Sequence, residues 1–182
     1  MNKEYALANA LAGEDICALR KMLGISRREF AALAGVSHRT VEFWEKSDKP
    51  ITGPIVFMYH VLFENRLIAQ RLEIPEQVWP LRLVYMYKSI PCTVIDVDEV
   101  NRLVKAYNYT DRHQFRAFGV IENPDYNDLE YFLESRCFPK SRDKIKLELE
   151  RLGLPFYDPL MIIEKTEGRM AEDLFHIQII RR

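Results

Sequence analysis

The residues with the chemistry of a catalytic site are Cys137 and two histidines, His113 and His176. Cys137 stands near Arg136 and Lys140, and neighbouring cations lower the pKa of a thiol and make it nucleophilic. A lone cysteine near a proline in an apolar segment is, however, more typical of core packing. None of the common hydrolase, metalloprotease, P-loop or dinucleotide-binding motifs is present, so we predict that the protein is not an enzyme.

The acidic residues Asp96, Asp98 and Glu99 offer oxygen ligands for a divalent cation, although this pattern in a turn is more typical of a solvated loop. The four histidines lack the spacing of zinc ligands, and the three cysteines form no Cys-x-x-Cys pair. An odd number of cysteines without a disulfide framework fits a reducing compartment. We therefore expect no metal, no cofactor and a cytoplasmic location, and no stretch reaches the length of a membrane span.

The elements that position polar side chains most clearly lie in Ser26–Pro50, SRREFAALAGVSHRTVEFWEKSDKP. Ser26 and Glu29 form a capping box that starts a helix, and Gly35 supplies the positive φ that ends it. Ser37 then caps a second helix. The spacing places Val41, Trp44 and the stem of Glu45 inward, and His38, Arg39, Glu42 and Phe43 outward. Two short helices joined by a glycine turn predict a helix-turn-helix.

This stretch resembles the lambda-repressor-like, or XRE, class of DNA-binding domains, and the resemblance covers residues 13–72. The residues that carry it are Ser26, Phe30-Ala31, Gly35-Val36-Ser37, Val41 and Trp44-Glu45. The glycine that commonly follows the Trp-Glu pair is replaced by Lys46-Ser47-Asp48. We therefore expect the second helix to end differently from those of the class.

The resemblance implies that helix 26–34 crosses the phosphate backbone of double-stranded DNA and that helix 37–46 enters the major groove. Arg39 then suits guanine O6 and N7, Phe43 suits a thymine methyl, and His38 suits a base or a phosphate. The complete set of candidate DNA-binding residues is Arg27, Arg28, Ser37, His38, Arg39, Thr40, Phe43 and Lys49. An ordinary small helical domain with exposed arginines is the alternative interpretation.

Charge and hydropathy predict that two copies act together. Residues 1–72 hold ten Lys/Arg and eight Asp/Glu, so phosphate neutralisation gives one copy only modest affinity. The segment 54–72 is expected to form one helix that starts at Pro54, and it is more apolar than a small three-helix core requires. Large apolar patches mark interfaces. We expect its residues Tyr59, Phe63 and Leu67 to contact either the second domain or another subunit of a homodimer.

The remaining chain predicts an α+β domain. Two prolines in residues 73–80 indicate a linker between domains 1–72 and 81–182. Alternating apolar residues predict strands at 81–87, 93–97, 103–109, 115–121 and 175–179, and caps predict helices after Pro124, from Ser141 to Gly153 and from Asp158 to Gly168. The expected fold class is mixed: an all-α helix-turn-helix domain followed by an α+β domain with a small antiparallel sheet.

Residues 128–180 weakly resemble small proteins of Firmicutes mobile elements found near HipA-like kinases, a resemblance that implies no activity. The segment contains a run of basic residues that fits either an acidic partner or, as we favour, a solvated helix start. Its members are Arg136, Lys140, Arg142, Lys144 and Lys146.

These patterns predict a sequence-specific transcriptional regulator of the XRE class, such as a repressor, acting as a homodimer whose second domain assembles the oligomer or binds a protein partner. The alternative is a protein-binding inhibitor or antitoxin, encoded by a phage or mobile element, whose helix-turn-helix represses its own promoter. Deleting residues 73–182 separates the two: DNA binding weakens under the first, whereas the isolated second domain retains inhibition under the second.

Overall fold

The structure, a computed structural model, describes residues 4–182. The chain divides into two compact units, of which the first ends at Glu73 and the second spans Ile74–Arg182. Helices form the first unit, and helices with a four-stranded antiparallel sheet form the second. This architecture confirms the expected mixed fold class.

Five helices make up the first unit. They are α1 (Gly13–Leu23), α2 (Arg27–Ala34), α3 (His38–Lys46), α4 (Pro54–Glu64) and α5 (Ile68–Arg71). The centre of its core consists of Ile16 and Leu19 from α1, Phe30 from α2 and Val41 from α3, all almost fully buried. A short antiparallel bridge between Leu11 and Ile51 ties the segment before α1 to the segment before α4.

The apolar segment 54–72 was expected to form one helix, but the structure has a break in it. Helix α4 ends at Glu64, and the side-chain amide of Asn65 donates to the carbonyl of Val61 while its backbone N–H does the same. The asparagine thus caps the helix with its own side chain. A second, short helix resumes at Ile68.

The sheet of the second unit has the strand order β3-β2-β1-β4. Its strands are β1 (Leu81–Tyr87), β2 (Ile90–Asp98), β3 (Leu103–Asn108) and β4 (Phe175–Arg181). One face, which includes Leu83, Ile95 and Ile177, forms the main core with three helices. Those helices are α6 (Tyr126–Ser135), α7 (Ile145–Leu152) and α8 (Pro159–Thr166).

The predicted strand at 115–121 is wrong. A short 3-10 helix, His113–Phe115, is followed by turns in which Gly119 has a φ of +57°. The backbone N–H of Ala117 donates to the hydroxyl of Thr93 at 3.1 Å, a side-chain bond that takes the place of a strand ladder. The two aromatic residues of this segment pack inward, Phe115 edge-on to Tyr87 and Phe118 against Phe132, whereas Val120 and Ile121 are exposed.

The predicted start of a helix at Ser141 is also wrong. The chain turns after Pro139, where the N–H of Arg142 donates to the Pro139 carbonyl, and α7 begins only at Ile145. The residue before it, Lys144, has a φ of +58°. Asp158, by contrast, caps α8 through its carboxylate and the N–H of Met161, as the sequence predicts.

A second apolar cluster lies on the other face of the sheet and contains Val84, Met86 and Val94. Beside it, the buried Arg82 binds Asp96 through two hydrogen bonds of 2.5 and 2.8 Å. Within residues 4–182, no helix is long and apolar enough to cross a membrane.

Candidate nucleic-acid interface

The turn between α2 and α3 has the features that the sequence predicts. The Ser26 hydroxyl accepts from the Glu29 N–H while the Glu29 carboxylate accepts from the Ser26 N–H, and these bonds start α2. Gly35, with a φ of +65°, ends α2 by donating to the carbonyl of Ala32. The Ser37 hydroxyl then accepts from the N–H of Thr40 at 3.1 Å and starts α3. Only three residues separate the two helices.

Glu45, near the C-terminal end of α3, joins all three helices of the motif. Its side chain is only 2% exposed and accepts from Arg20 of α1 at 2.7 Å and from Arg27 of α2 at 2.6 Å. Burial opposes ionisation of the carboxyl, but the hydrogen bonds from both arginines outweigh it and hold the pKa of Glu45 below its ordinary value. The pKa of Arg20 is raised by the same hydrogen bond.

Gly13 fixes how closely α1 approaches α3. A Cβ atom on this glycine would lie 2.4 Å from the backbone carbonyl oxygen of Trp44. Only glycine allows that approach without movement of one helix. No sequence pattern assigned a role to Gly13 or Arg20. For Gly13 the available signal was its place directly before Glu14 and Asp15, an acidic pair typical of a helix start.

The exposed side of α3 carries three of the predicted base-reading residues, His38, Arg39 and Phe43. Phe43 is 63% exposed, so most of its ring is open to a partner. The neighbouring Glu42 is paired with Lys46 at 2.7 Å, and hydrogen bonding to that lysine lowers the pKa of Glu42. The pair offsets the negative charge that this face would otherwise present to DNA.

The hydroxyls of Ser37 and Thr40 lie 2.8 Å apart and are bound to each other at the start of α3. Both were predicted as DNA contacts. This bond uses only one of the two hydroxyl hydrogens, so the other can donate to a phosphate at the helix N-terminus, where backbone N–H groups also favour an anion.

The predicted phosphate contacts differ in their surroundings. Arg27 uses its Nε atom for Glu45 and is 41% exposed, whereas Arg28 and Lys49 are exposed. Within residues 4–182, no hydrogen bond engages the terminal nitrogens of Arg27, so the bond to Glu45 orients these two donors. Lys49 follows α3, which ends without a left-handed residue because Ser47 is extended, with φ −88° and ψ 134°.

The predicted apolar interface is partly buried and partly exposed. Tyr59 and Phe63 stack with ring centroids 6.0 Å apart on α4. Phe63 and Leu67 are exposed. We call Tyr59, Phe63 and Leu67 the α4 surface.

The possible catalytic residues of the second unit do not form a site. Cys137 is buried, and its burial raises the pKa of the thiol to about 12. It belongs to the core on the helix-covered face of the sheet, whereas His176 lies opposite Met86 on the other face. His113 is exposed. The lowered thiol pKa considered from the sequence is therefore wrong, because packing outweighs the neighbouring cations.

The basic cluster and the acidic cation site considered from the sequence are not formed as groups either. Arg136 is buried and bound to Asp173 at 2.6 Å and to the Gly168 carbonyl, so it is not part of an exposed basic cluster. Asp96 is occupied by Arg82, and Asp98 accepts the backbone N–H groups of the following turn. Among residues 4–182, no three His, Cys, Asp or Glu side chains lie close enough to hold a metal ion.

Comparison with known proteins agrees with the geometry of the first unit. Residues 18–59, which reach from α1 into α4, match the family model described as helix-turn-helix. The match confirms the class resemblance for this segment. No curated protein and no solved structure matches the chain.

Proposed function

We propose that this protein reads a specific operator with α3 and does so as a homodimer, because residues 18–59 match the family model described as helix-turn-helix and α3 has the position of a recognition helix. The observation that carries the proposal is the exposed side of α3. It presents a cation, an imidazole and an aromatic ring on a helix that is fixed at both ends, by the Ser37 cap and by Glu45.

Arg39 is the strongest candidate for base recognition. It is exposed in the first turn of α3, the part of a recognition helix that contacts base edges. A guanidinium presents two parallel donors that match guanine O6 and N7. Phe43 lies one helical turn further along and supplies an apolar surface for a thymine methyl.

The arginines of α2 supply the phosphate contacts in this proposal. Arg28 is exposed, and Arg27 presents its terminal nitrogens while Glu45 holds its Nε. Phosphate contacts fix the position of a protein on the duplex without reading sequence. Removal of one such contact therefore weakens binding to all sequences alike.

A homodimer follows from the small charge of one DNA-binding unit. A net charge of +2 on residues 1–72 neutralises few phosphates, so two copies are needed for tight and specific binding. In this arrangement each copy contacts one half-site, with the half-sites about one helical turn of DNA apart. The α4 surface remains a candidate for contact with either the second unit or another copy.

The proposal is tested by selection of binding sequences from a random DNA library with the full-length protein and with two matched Arg→Ala variants. Arg39→Ala should relax discrimination at one base pair of each half-site, at a cost of about 1–3 kcal/mol. Arg28→Ala should select the same sequence as the parent, bind it more weakly and lower the slope of affinity against salt by about one. If the parent enriches no sequence, or if Arg39→Ala selects the parental site with unchanged discrimination, α3 is not the reading helix.

A further inference from the structure

The outer edge of β4 is the feature of the second unit that a partner could use. In an antiparallel sheet, alternate residues of an edge strand point their backbone N–H and C=O groups away from the neighbouring strand. The N–H of Arg182 bonds to the Pro80 carbonyl that precedes β1, and the N–H of Ile177 bonds outward to Glu167. The odd-numbered residues of β4 therefore point their backbone N–H and C=O groups away from β1.

The first half of this edge is already occupied. The N–H of Phe175 donates to the Asp173 carboxylate at 2.9 Å, and the N–H of Ile177 donates to the Glu167 carbonyl at 2.7 Å. The second half is open. Among the described residues, the N–H groups of Ile179 and Arg181 have no hydrogen-bond partner.

The side chains of β4 favour pairing more than those of the opposite edge. Strand β4 has no Lys, Arg, Asp or Glu before Arg181, whereas β3 has Lys105 at its centre. Central lysines are a common means by which edge strands avoid pairing, and a flat apolar edge invites it. Ile180 is 44% exposed at the centre of the open half.

We propose that a second copy of this chain pairs with the open half of β4, antiparallel and about a two-fold axis that passes between the two Ile180 residues. Ile179 of each copy then lies opposite Arg181 of the other, and each of these two pairs exchanges two N–H···O=C bonds. A symmetric contact of this kind uses the same surface on both copies.

The structure selects this register over its neighbours. An axis at Ile179 would place the second copy opposite Ile177, where the Glu167 carbonyl already occupies the edge. An axis at Arg181 would place two arginines opposite each other, which is unfavourable. The axis at Ile180 avoids both and brings two exposed isoleucines together.

Charge complementarity supports a second copy as the occupant. A groove of about 370 Å³ runs beside β4, and its lining includes Ile179, the carboxylates of Glu164 and Glu167, and Arg169, which pairs with Glu167. Within one chain, Arg181 already binds Glu164. In the paired arrangement, Arg181 of each copy lies opposite the Ile179 of the other, close to the Glu164 of that copy. Antiparallel pairing thus lets the Arg181–Glu164 ion pair, which forms within one chain, form between the two copies.

This inference rests on the proposed function, because it assigns the contact that would join two DNA-binding units. The paired segment is short, so the contact by itself is weak. Its effect is to raise the effective concentration of the second unit once the first has bound its half-site.

The experiment uses the full chain without DNA and measures self-association by sedimentation equilibrium for the parent and for Ile180→Lys, Ile180→Glu and Ile180→Thr. We expect the Lys and Glu variants each to associate about tenfold more weakly than the parent, a change of about 1.4 kcal/mol. An equimolar mixture of the two should recover parental association, because a lysine then faces a glutamate across the axis. Ile180→Thr, a neutral β-branched control, should lose less.

Recovery in the mixture shows that both variants are folded and that residue 180 faces itself. Association of the Lys and Glu variants equal to that of the parent, absence of recovery in the mixture, or a parent that is monomeric at every concentration would each overturn the inference. Operator selection with the parent is a separate measurement. If the parent selects an operator while the Ile180 variants associate as the parent does, the proposed function stands and this inference is refuted. If the parent selects no operator while the Ile180 variants associate more weakly and recover in the mixture, this inference stands and operator reading is refuted.

Discussion

Replacing Glu45 by alanine should destabilise the first unit by about 3 kcal/mol. The substitution leaves the guanidinium of Arg20, whose side chain is 15% exposed, without its charged acceptor. Breaking one such partly buried charged hydrogen bond costs about 2–3 kcal/mol. Arg27 is more exposed, so loss of its bond adds only about 0.5–1 kcal/mol.

The measurement is urea unfolding of the full chain, followed by tryptophan fluorescence. The two tryptophans fall in different units, Trp44 in α3 and Trp79 before β1. With Trp79→Phe in the background, Trp44 reports on the first unit alone. For an m-value of about 1 kcal/mol/M, the expected loss lowers the midpoint by about 3 M.

Glu42→Ala is the matched control, since it also removes a glutamate of α3 that binds a cation, but on the exposed side. It should leave the midpoint close to that of the parent. If Glu45→Ala shifts the midpoint no more than Glu42→Ala does, the interhelical ion pairs do not stabilise the unit.

The pH dependence of this effect has a definite sign. The folded-state pKa of Glu45 lies below the ordinary value of 4.5, so its contribution is fully present above pH 4.5. It is lost as the pH falls through the folded-state pKa. The difference in stability between the parent and Glu45→Ala should therefore shrink in acid, and a constant difference down to pH 2 would contradict the assignment.

Two further predictions concern close packing and burial. Gly13→Ala should destabilise the first unit by about 2 kcal/mol, because its Cβ would lie 2.4 Å from the Trp44 carbonyl oxygen. Gly35→Ala should destabilise it by only about 1 kcal/mol, because the positive φ of Gly35 is the only obstacle to a side chain there. Both free energies are measured in the same unfolding assay. Equal costs would refute the packing argument. Cys137, whose burial raises the thiol pKa to about 12, should react with a thiol reagent far more slowly than the half-buried Cys17. Mass spectrometry of labelled peptides measures the two rates. Equal labelling rates would contradict the burial of Cys137.

The sequence predicts the helix-turn-helix well because its signals are local. A serine cap, a glutamate three residues later and a glycine at the end each act within one turn of helix, so Ser26, Glu29 and Gly35 have the roles that the pattern indicates. The strands β1, β2 and β3 were recognisable for a related reason. Their apolar and aromatic residues are typical of a half-buried or buried sheet.

The features that sequence reasoning missed depend on distant residues. Arg20 and Glu45 are 25 positions apart, and nothing in their local sequence indicates that they meet. The segment 115–121 has strand-like composition, but Thr93, 24 positions earlier, binds its backbone. Arg136 has the sequence of a surface cation and becomes buried because Asp173 and the Gly168 carbonyl satisfy it.

The two anchors of α3 have a consequence for how such a regulator changes its target. Ser37 at one end and Glu45 at the other hold the helix in place. His38, Arg39 and Phe43 take no part in either anchor. Substitutions at these three positions can therefore accumulate with little loss of folding stability. Under the proposed function, descendants of one gene can then differ in operator choice while they keep the same fold.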